Sequence, residues 1–379
     1  MNMKKLLTLA ALTATAFTAN AEIRINGFAN LVGGITSSDE SLYGYDDKIS
    51  FSSESVFALQ VSGDINDKMT ATGQIVARGE DDYNAVFEWA YLTYQATDNT
   101  SISAGRLRLP LFKYSASKDV GYSYHWVTAP RSVYDVNFNN LDGFRVDYSN
   151  YAGDWEYNLQ AAFGTVNSDL NTAAGPGTLN VSNTMIVSAE AVYNFLRVRG
   201  SYVSGKGTVA LPSLDSTFGA LRGVGLNDLA DNIEFKDDTS SFTGFGIEYD
   251  TFDWFVAGEW TEIEIEDSFN PTNTAFYVTA GIRKGKWTPS ITYEKFDANN
   301  ELKFLDKVAA LPAAVQPTAN AVVVGLQQPF VDEYNVSTFS VRYDLDSNVA
   351  LKADLSKYSN DINSAEDANL LRVAVNYVF

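Results

Sequence analysis

The sequence contains no cysteine and a single histidine, His125. A disulfide framework, a thiolate metal site and a cysteine nucleophile are therefore excluded, and one imidazole leaves little scope for zinc or serine–histidine chemistry. After the N-terminal segment there is also no apolar run of about 18 residues, so no transmembrane helix is predicted. We expect no catalytic residue, no metal and no cofactor, and hence no enzyme.

Basic residues are scarce: 27 Lys and Arg stand against 47 Asp and Glu, a formal net charge of −20. Because phosphate contacts need a basic surface, nucleic acid is not an expected partner. Only 20% of the 379 residues are charged, and 21 Tyr and 23 Phe are present, so the chain is not a disordered acidic polymer. The length suits two or three soluble domains or one large all-β architecture.

The first 21 residues differ from the remainder. Lys4 and Lys5 precede the moderately apolar stretch LLTLAALTATAFTA, and Ala19-Asn20-Ala21 supplies a small-x-small cleavage pattern. We predict a secretory signal peptide over residues 1–21, cut before Glu22, and one domain over residues 22–379. The alternative, a membrane anchor, is disfavoured because the apolar run is short and rich in threonine.

The rest of the chain repeats a two-residue alternation. In WEYNLQAAFG, Trp155, Leu159 and Phe163 share one face while Glu156 and Gln160 share the other, which is the periodicity of a β-strand. Similar alternation occurs in KMTATGQIVAR, SFTGFGIEYD, DWFVAGEW, TAFYVTAGIR, KWTPSITYE and STFSVRYDL. About sixteen strands are predicted.

The connections between these strands alternate in length. Tight turns are predicted at 63–67, 97–100, 151–154, 283–286 and 344–348. Long polar loops are predicted at 36–47, 79–84, 109–141, 166–182, 205–240, 264–273, 297–334 and 358–368. Short turns at one end and long loops at the other predict an all-β, antiparallel, up-and-down transmembrane barrel.

The faces of the strands indicate which side meets lipid. Aromatic residues near strand ends occur on the apolar face, as in the girdles of membrane barrels: Trp155, Tyr157, Tyr249, Trp254, Trp260, Trp287, Tyr343 and Tyr377. The opposite face carries Gln, Thr, Ser, Asn and single charges, which suit a water-filled lumen. A secreted soluble β-protein, with the apolar face inward, is the alternative.

The chain ends in LLRVAVNYVF, which places Leu371, Val373, Val375, Tyr377 and Phe379 on the predicted lipid face. A last strand that closes on Tyr377 and Phe379 is similar to the assembly signal read by the barrel-insertion machinery of Gram-negative outer membranes. A soluble edge strand that ends on Phe by chance is the alternative.

Across residues 22–379 the chain resembles the general porins of Gram-negative outer membranes. The likeness lies in AEIRINGFANLVGG, EWAYLTYQ with SISAGRLRLPLF, LDGFRVDYSN and RVAVNYVF. It implies a sixteen-stranded barrel among outer-membrane lipid and lipopolysaccharide, a homotrimer, passive diffusion of small hydrophilic solutes, and a third loop folded into the pore. Residues 109–141 occupy that loop position but lack the Pro-Glu-Phe-Gly-Gly tip of the best-known members, so constriction residues must be found in this sequence itself.

The third loop and its flanks are locally basic, unlike the whole chain. The candidate constriction residues are Arg106, Arg108, Lys113, Lys118, Asp119, Arg131 and Asp135. With Asp142 they comprise five bases and three acids, which favours some tolerance of anions because charge at the narrowest point sets selectivity. The alternative is that these charges pair and only hold the loop down. The loop tyrosines and Trp126 are expected to pack against the wall, with stacking on a ligand as the alternative. His125 is expected to be structural, with gating by protonation as the alternative.

Strand parity also predicts the residues of the lumen wall. The candidates are Arg24, Arg78, Glu88, Arg145, Arg342, Lys352 and Arg372. Most inward bases fall on strands 14–16 and 1–6, whereas most inward acids (Glu156, Glu190, Glu248, Glu259, Glu294) fall on strands 7–13, which predicts a transverse field across the pore.

The predicted function is an outer-membrane porin for passive diffusion of small hydrophilic solutes and ions. A substrate-specific porin for a small nutrient, with an anion among the candidates, is the alternative, because the insertions 205–240 and 297–334 exceed what a plain diffusion pore needs. An outer-membrane hydrolase is disfavoured by the single imidazole, and a plugged structural barrel by the absence of residues for a plug.

Overall fold

The computed structural model describes residues 22–39, 41–136, 138–172, 175–299 and 302–379. The predicted signal peptide, residues 1–21, lies outside these described residues.

Sixteen strands form the wall. They are β1 (Ile23–Thr36), β2 (Val56–Asn66), β3 (Met69–Arg78), β4 (Ala85–Thr97), β5 (Thr100–Arg108), β6 (Asn140–Ala152), β7 (Trp155–Thr172), β8 (Gly175–Tyr193), β9 (Leu196–Ala210), β10 (Lys236–Asp250), β11 (Trp254–Ile265), β12 (Asn273–Ile282), β13 (Trp287–Asp297), β14 (Glu333–Asp346), β15 (Val349–Asn360) and β16 (Ala368–Val378). Each strand pairs antiparallel with its neighbours in sequence, and β1 pairs with β16, which closes the barrel. The predicted fold class is confirmed.

The two faces of the wall have the polarity of a membrane barrel. On β13, Ile291 and Tyr293 are exposed, whereas Ser290, Thr292 and Glu294 between and beside them are buried. The described residues include 51 exposed large apolar side chains. A soluble monomer rarely exposes apolar patches of more than a few hundred Å², so this exterior is suited to hydrocarbon.

Aromatic pairs mark the rim that carries the short turns. Trp287 and Tyr343 have ring centroids 4.6 Å apart across β13 and β14, and Trp155 and Tyr193 have centroids 5.0 Å apart across β7 and β8. Amphipathic rings at this level are typical of the interface between lipid tails and headgroups. The predicted aromatic girdle is therefore present at this rim.

The opposite rim carries the long connections, with one difference from the prediction. Most of the stretch 166–182 is strand and not loop: β7 continues to Thr172 and β8 begins at Gly175, so that the two strands are 18 and 19 residues long. Register shifts between Gly164 and Val166 and between Ser182 and Met185 bend the strands without ending them. Because about 9–11 residues cross a membrane, this hairpin projects beyond it.

Short helices occur in three of the connections. They are α1 (Arg131–Tyr134), α2 (Asp215–Gly223), α3 (Asn227–Ile233), α4 (Leu305–Ala309) and α5 (Gln316–Gln327). Helices α2 to α5 pack on one another through a separate apolar cluster that includes Phe218, Ile233, Phe304 and Val323. We call residues 211–235 and 302–332 the cap. None of the helices in the described ranges is long and apolar enough to span a membrane.

The last residue completes the closure of the barrel. The backbone N–H of Gly27 donates to the carbonyl of Phe379 (2.9 Å), and that of Phe379 donates to the carbonyl of Gly27 (3.0 Å). The Phe379 ring lies where a Cβ on Gly27 would be, 2.3 Å from its nearest ring carbon, and stacks beside Tyr377 with centroids 5.5 Å apart. Only glycine fits at position 27 under this ring.

Deletion of Phe379 is expected to weaken the closure between β1 and β16. Losing two backbone hydrogen bonds costs about 1–3 kcal/mol of unfolding free energy, at about 0.5–1.5 kcal/mol each. The measurement is urea-induced unfolding of the barrel refolded into lipid vesicles.

The Phe379→Ala variant is the matched control, because it loses the ring but keeps both backbone bonds. We expect the deletion to be clearly less stable than Phe379→Ala. Equal stability of the two variants would show that the ring alone matters.

Candidate functional site: a charged passage beside the inner loop

The described residues 109–136 and 138–139, between β5 and β6, turn into the barrel; we call them the inner loop. Arg199 on β9 donates to the carbonyl of Pro110 (2.6 Å), and the backbone N–H of Val127 donates to Asp354 on β15 (2.9 Å). The loop therefore crosses the lumen from one wall to the other. A sixteen-stranded barrel is too wide for its wall side chains to fill, so the loop sets the size of any opening.

The inner loop fills one side of the lumen with apolar side chains. Its buried residues meet inward apolar residues on β7 to β12, and the shared cluster comprises Leu109, Leu111, Phe112, Tyr124, Trp126, Ala129, Val133, Tyr134, Leu141, Ala162, Val166, Ile186, Val203, Phe242, Ala275 and Tyr277. The inward face of these strands is therefore partly apolar, whereas the sequence analysis predicts a polar inward face. The expected packing of the loop aromatics against the wall is confirmed.

Two bases of the predicted lumen wall hold the far end of the loop through backbone carbonyls. The Lys352 ammonium donates to the carbonyls of Gly121 and Trp126, the latter at 2.6 Å. The Arg342 guanidinium donates to the carbonyls of Tyr122 (2.6 Å) and Tyr124 (2.9 Å). Lys352 and Arg342 therefore position the inner loop. They were predicted to line the pore as free charges, and this prediction is wrong for both.

Acids on the opposite wall hold the loop as well. Glu248 on β10 pairs with Lys113, and Glu259 on β11 accepts from the hydroxyl of Tyr134. Lys113 was predicted at the constriction, but it lies against this far wall, outside the passage described next.

A cavity of about 380 Å³ remains between the inner loop and the wall formed by β1 to β7; we call it the charged passage. Its charged lining residues are Glu54, Arg78, Glu80, Asp81, Glu88, Arg106, Arg108, Lys118, Asp119, Arg131 and Asp135. The passage brings together six of the seven predicted constriction residues with Arg78 and Glu88 of the predicted wall.

Asp119 is the centre of the ionic network in the passage. Its carboxylate accepts from Arg108 (2.7 Å) and Arg78 (3.0 Å), and both guanidiniums also reach Glu88, at 3.1 and 2.9 Å. Burial of Asp119 opposes its ionisation, but Arg108 and Arg78 together lower its pKa to about 2. Asp119 therefore stays ionised at physiological pH.

The formal charge of the passage is close to neutral. Five bases face six acids, because Glu54, Glu80, Asp81 and Glu88 come from other segments than the third loop. The predicted local excess of bases counted only residues 106–142. The balanced set does not support the expected tolerance of anions.

Lys118 is the base of the passage whose charge is least secure. Burial lowers the pKa of its ammonium group, and attraction to Asp119 and Asp135 offsets this only in part. His125, by contrast, is buried between Trp126 and Phe255, with its Nε2 3.1 Å from the hydroxyl of Thr279. Burial, reinforced by repulsion from Lys352, lowers the pKa of His125 well below its ordinary value, so it stays neutral.

The other predicted bases have nearby carboxylates. The closest pairs are Arg24 with Asp64 (2.6 Å), Arg106 with Asp142 (3.0 Å), Arg131 with Asp135 (2.6 Å), Arg145 with Asp147 (2.9 Å), and Arg372 with Glu54 (3.0 Å). The predicted strand positions of the wall bases and acids all agree with the structure. Local pairing of this kind weakens the transverse field that was expected from their arrangement.

Two groups of functional side chains were missed. Glu54 lies in the connection between β1 and β2, its side chain is only 6% exposed, and it bridges Arg372 to Arg131 of the inner loop (3.6 Å). Its partners are distant in sequence, so no local pattern marks it. Arg197 and Arg199 on β9 share inward parity in LRVRGSYV, and the alternation rule used for the other strands could have found them.

Comparisons with solved structures show the fold. Over 94% of this chain and 97% of that chain, the structure is similar to Salmonella typhi OmpF in complex with daunomycin (TM-score 0.57, 14% identity). It is similar to the outer membrane channel DcaP of Acinetobacter baumannii over 96% and 98% (TM-score 0.57, 11% identity), and to the trimer form of in-vitro folded OmpT, an outer membrane protein of Vibrio cholerae, over 95% and 100% (TM-score 0.52, 14% identity). No family model and no curated protein sequence matches the chain. The barrel expected from the resemblance to porins is confirmed.

Replacing Lys352 by methionine is expected to loosen the inner loop. Two buried carbonyls lose their donor, at about 1–3 kcal/mol each, so segment 121–127 leaves the wall and narrows or blocks the passage intermittently. Single-channel recordings should show higher open-channel noise and additional conductance levels.

The control is Lys357→Met on the same strand, where the lysine is exposed on the outer face. Its open-channel noise and conductance levels should match those of the wild type. Quiet, single-level currents from both variants would contradict the anchoring role of Lys352.

Ion selectivity is expected to depend on pH through Lys118. Because its pKa is lowered, Lys118 loses its positive charge at a lower pH than exposed lysines do, so raising the pH from neutral shifts the channel toward cations. One charge about 8 Å from an ion contributes ~0.5 kcal/mol in water, or about a twofold change in the cation-to-anion permeability ratio. Reversal potentials across a KCl gradient measure this ratio.

The Lys118→Met variant should be cation-shifted already at neutral pH and lose most of the pH response. A variant that keeps the full response would assign the titration to another group.

Proposed function

We propose that the chain forms an outer-membrane channel for passive diffusion of small hydrophilic solutes and ions. The observation that carries this proposal is the charged passage inside a closed barrel whose outer face is apolar. A polar solute that enters it keeps hydrogen-bonding partners on both sides, from the inner loop and from the wall. An apolar exterior with a polar interior path is the arrangement by which such barrels conduct.

The charges of the passage favour weak rather than strong ion selectivity. Arg78, Arg108, Glu88 and Asp119 compensate one another within hydrogen-bonding distance, so little net field acts on a passing ion.

The supporting features of the proposal concern export and assembly. We propose that residues 1–21 are a cleaved signal peptide, that the barrel-insertion machinery reads the strand ending at Phe379, and that the mature barrel sits among outer-membrane lipid and lipopolysaccharide as a homotrimer. The trimer form of the similar OmpT structure supports the last point at the level of the fold.

We also propose that the chain has no enzymatic role. Its single imidazole, His125, is buried, neutral and engaged with Thr279 and Trp126. A general base must reach the proton of a nucleophile in contact with substrate, and His125 lies on the packed side of the inner loop.

The cap favours a second candidate, a channel with preference for a particular solute. Its four helices enclose an apolar cluster of their own above the lumen, which a simple diffusion pore does not need.

Planar-bilayer conductance and liposome swelling test the channel. We expect ohmic currents in KCl, and swelling rates that fall steeply as sugars increase from three carbons to disaccharides. Thr128 lines the passage from the inner loop and is half-buried, so Thr128→Trp should reduce the conductance by about half through steric narrowing.

Ser123→Trp is the matched control, because Ser123 is an exposed inner-loop residue that does not line the passage. It should conduct like the wild type. Absence of current from correctly folded wild-type barrel would overturn the proposed function, and equal reduction in both variants would place the conducting path elsewhere.

A further inference from the structure

A second cavity, of about 400 Å³, lies on the other side of the inner loop from most of the charged passage; we call it the apolar chamber. Its floor is the inner loop, its wall is the inner face of β7 to β12, and residues of the cap, among them Phe235 and Phe330, form part of its lining. Apolar side chains dominate its surface. They include Val181, Val203, Phe242 and Ile263.

The volume and chemistry of the chamber fit a ligand better than water. Ligand pockets typically measure about 300–1,000 Å³ and are lined by apolar and aromatic side chains with a few polar groups. An apolar cavity of about 150 Å³ stays dry and binds one benzene, so this chamber has room for about two aromatic rings.

Two polar atoms in the chamber wall have no hydrogen-bond partner within the described residues: the Ser240 hydroxyl oxygen and the Asn273 amide oxygen. Ser240 on β10 is opposite Ile265, and Asn273 on β12 is opposite Ile263 of the same intervening strand, β11. With strands about 4.8 Å apart and a two-residue offset along β11, the two groups lie about 12 Å from each other across an isoleucine surface. Both oxygens are buried behind the surface of the chamber. A buried polar atom without a partner costs about 1–3 kcal/mol, which a ligand with a donor recovers once the side chain turns toward the chamber.

Charge decides against an ionic ligand. Among the described lining residues, no base faces the chamber, and its one acid, Asp135, is paired with Arg131 at 2.6 Å. A buried carboxylate or ammonium group of a ligand would therefore lose hydration without a counter-charge. The anionic nutrient considered from the sequence does not suit this chamber.

The chamber opens beside the charged passage. Asp135 and Val136 line both cavities, and Asp135 and Asn171 at the chamber edge are exposed. A solute that enters the mouth can therefore reach either space.

We propose that the apolar chamber is a binding site for a small neutral molecule with an apolar body of about two rings and at least one hydrogen-bond donor. The donor meets Asn273 or Ser240, and the apolar body lies across Ile263 and Ile265. The inference rests on the proposed channel only for the route of entry; binding itself needs only the chamber.

The probe is 1-naphthol, a neutral bicyclic aromatic molecule with one hydroxyl donor, added on the external side of a bilayer that carries the channel in KCl. We expect saturable, reversible partial block of the current. Naphthalene-1-sulfonate, which has the same rings with a negative charge, should block at least tenfold more weakly.

Two variants test the site. Asn273→Leu removes the acceptor at nearly constant volume and should weaken the 1-naphthol block about fivefold, while Val209→Trp fills the chamber and should abolish it. Their controls are Asn180→Leu and Val187→Trp, both exposed on strand β8 outside the lining of the chamber, and both should bind as the wild type does.

The outcomes separate the two proposals. A normal KCl current without saturable block, or equal block in wild type and Val209→Trp, overturns the binding site and leaves the channel standing. If the wild-type barrel carries no current, the channel proposal fails. Binding is then measured in nanodiscs by comparing the fluorescence of 1-naphthol with the wild type and with Val209→Trp. A saturable difference supports the chamber, and its absence overturns it.

Discussion

Backbone hydrogen bonding inside hydrocarbon is the constraint on which the rest of this structure depends. Lipid tails offer no donors or acceptors, so every N–H and C=O group of the wall must be satisfied within the barrel. The pairing of β1 with β16 leaves no open edge, and Phe379 extends that pairing to the last residue through its two bonds with Gly27. The same requirement explains why irregular backbone, such as the inner loop, is found inside the wall rather than on its outer face.

Closure of sixteen strands creates an interior that wall side chains cannot fill. The inner loop crosses this interior and divides it into two spaces. Loop backbone that crosses a lumen carries carbonyls that need donors. Lys352 and Arg342 supply them from β15 and β14, and Glu259 on β11 and Glu294 on β13 accept hydrogen bonds from Tyr134 and Ser132 of the loop. Much of the charge that lines this lumen therefore serves to fix the loop.

Features with a short-range signature were predictable from the sequence, whereas features with long-range partners were not. Period-two alternation identified the strands, their facing and the inward position of residues such as Arg372. It could not show that Arg372 meets Glu54, 318 residues away, because parity carries no information on depth or on loop folding. The hairpin of β7 and β8 was mistaken for a loop because GPG and Asn-rich stretches resemble turns; pairing with β9 up to Ala210 overrides that local preference.

The division of the lumen gives its two sides opposite solvent character. On the side of β1 to β6, carboxylates and guanidiniums compensate one another at the passage, where the packed inner loop acts as a low-dielectric wall that strengthens each interaction. On the side of β7 to β12, the apolar cluster and the cap dominate the chamber, and the paired Asp135 is the one charged residue in its described lining. The two spaces meet at Asp135 and Val136. From the proposed function and the proposed binding site, we expect a solute at this junction to be sorted by the free energy of losing its hydration: ions and sugars should keep to the charged side, whereas a neutral aromatic molecule should gain by entering the chamber.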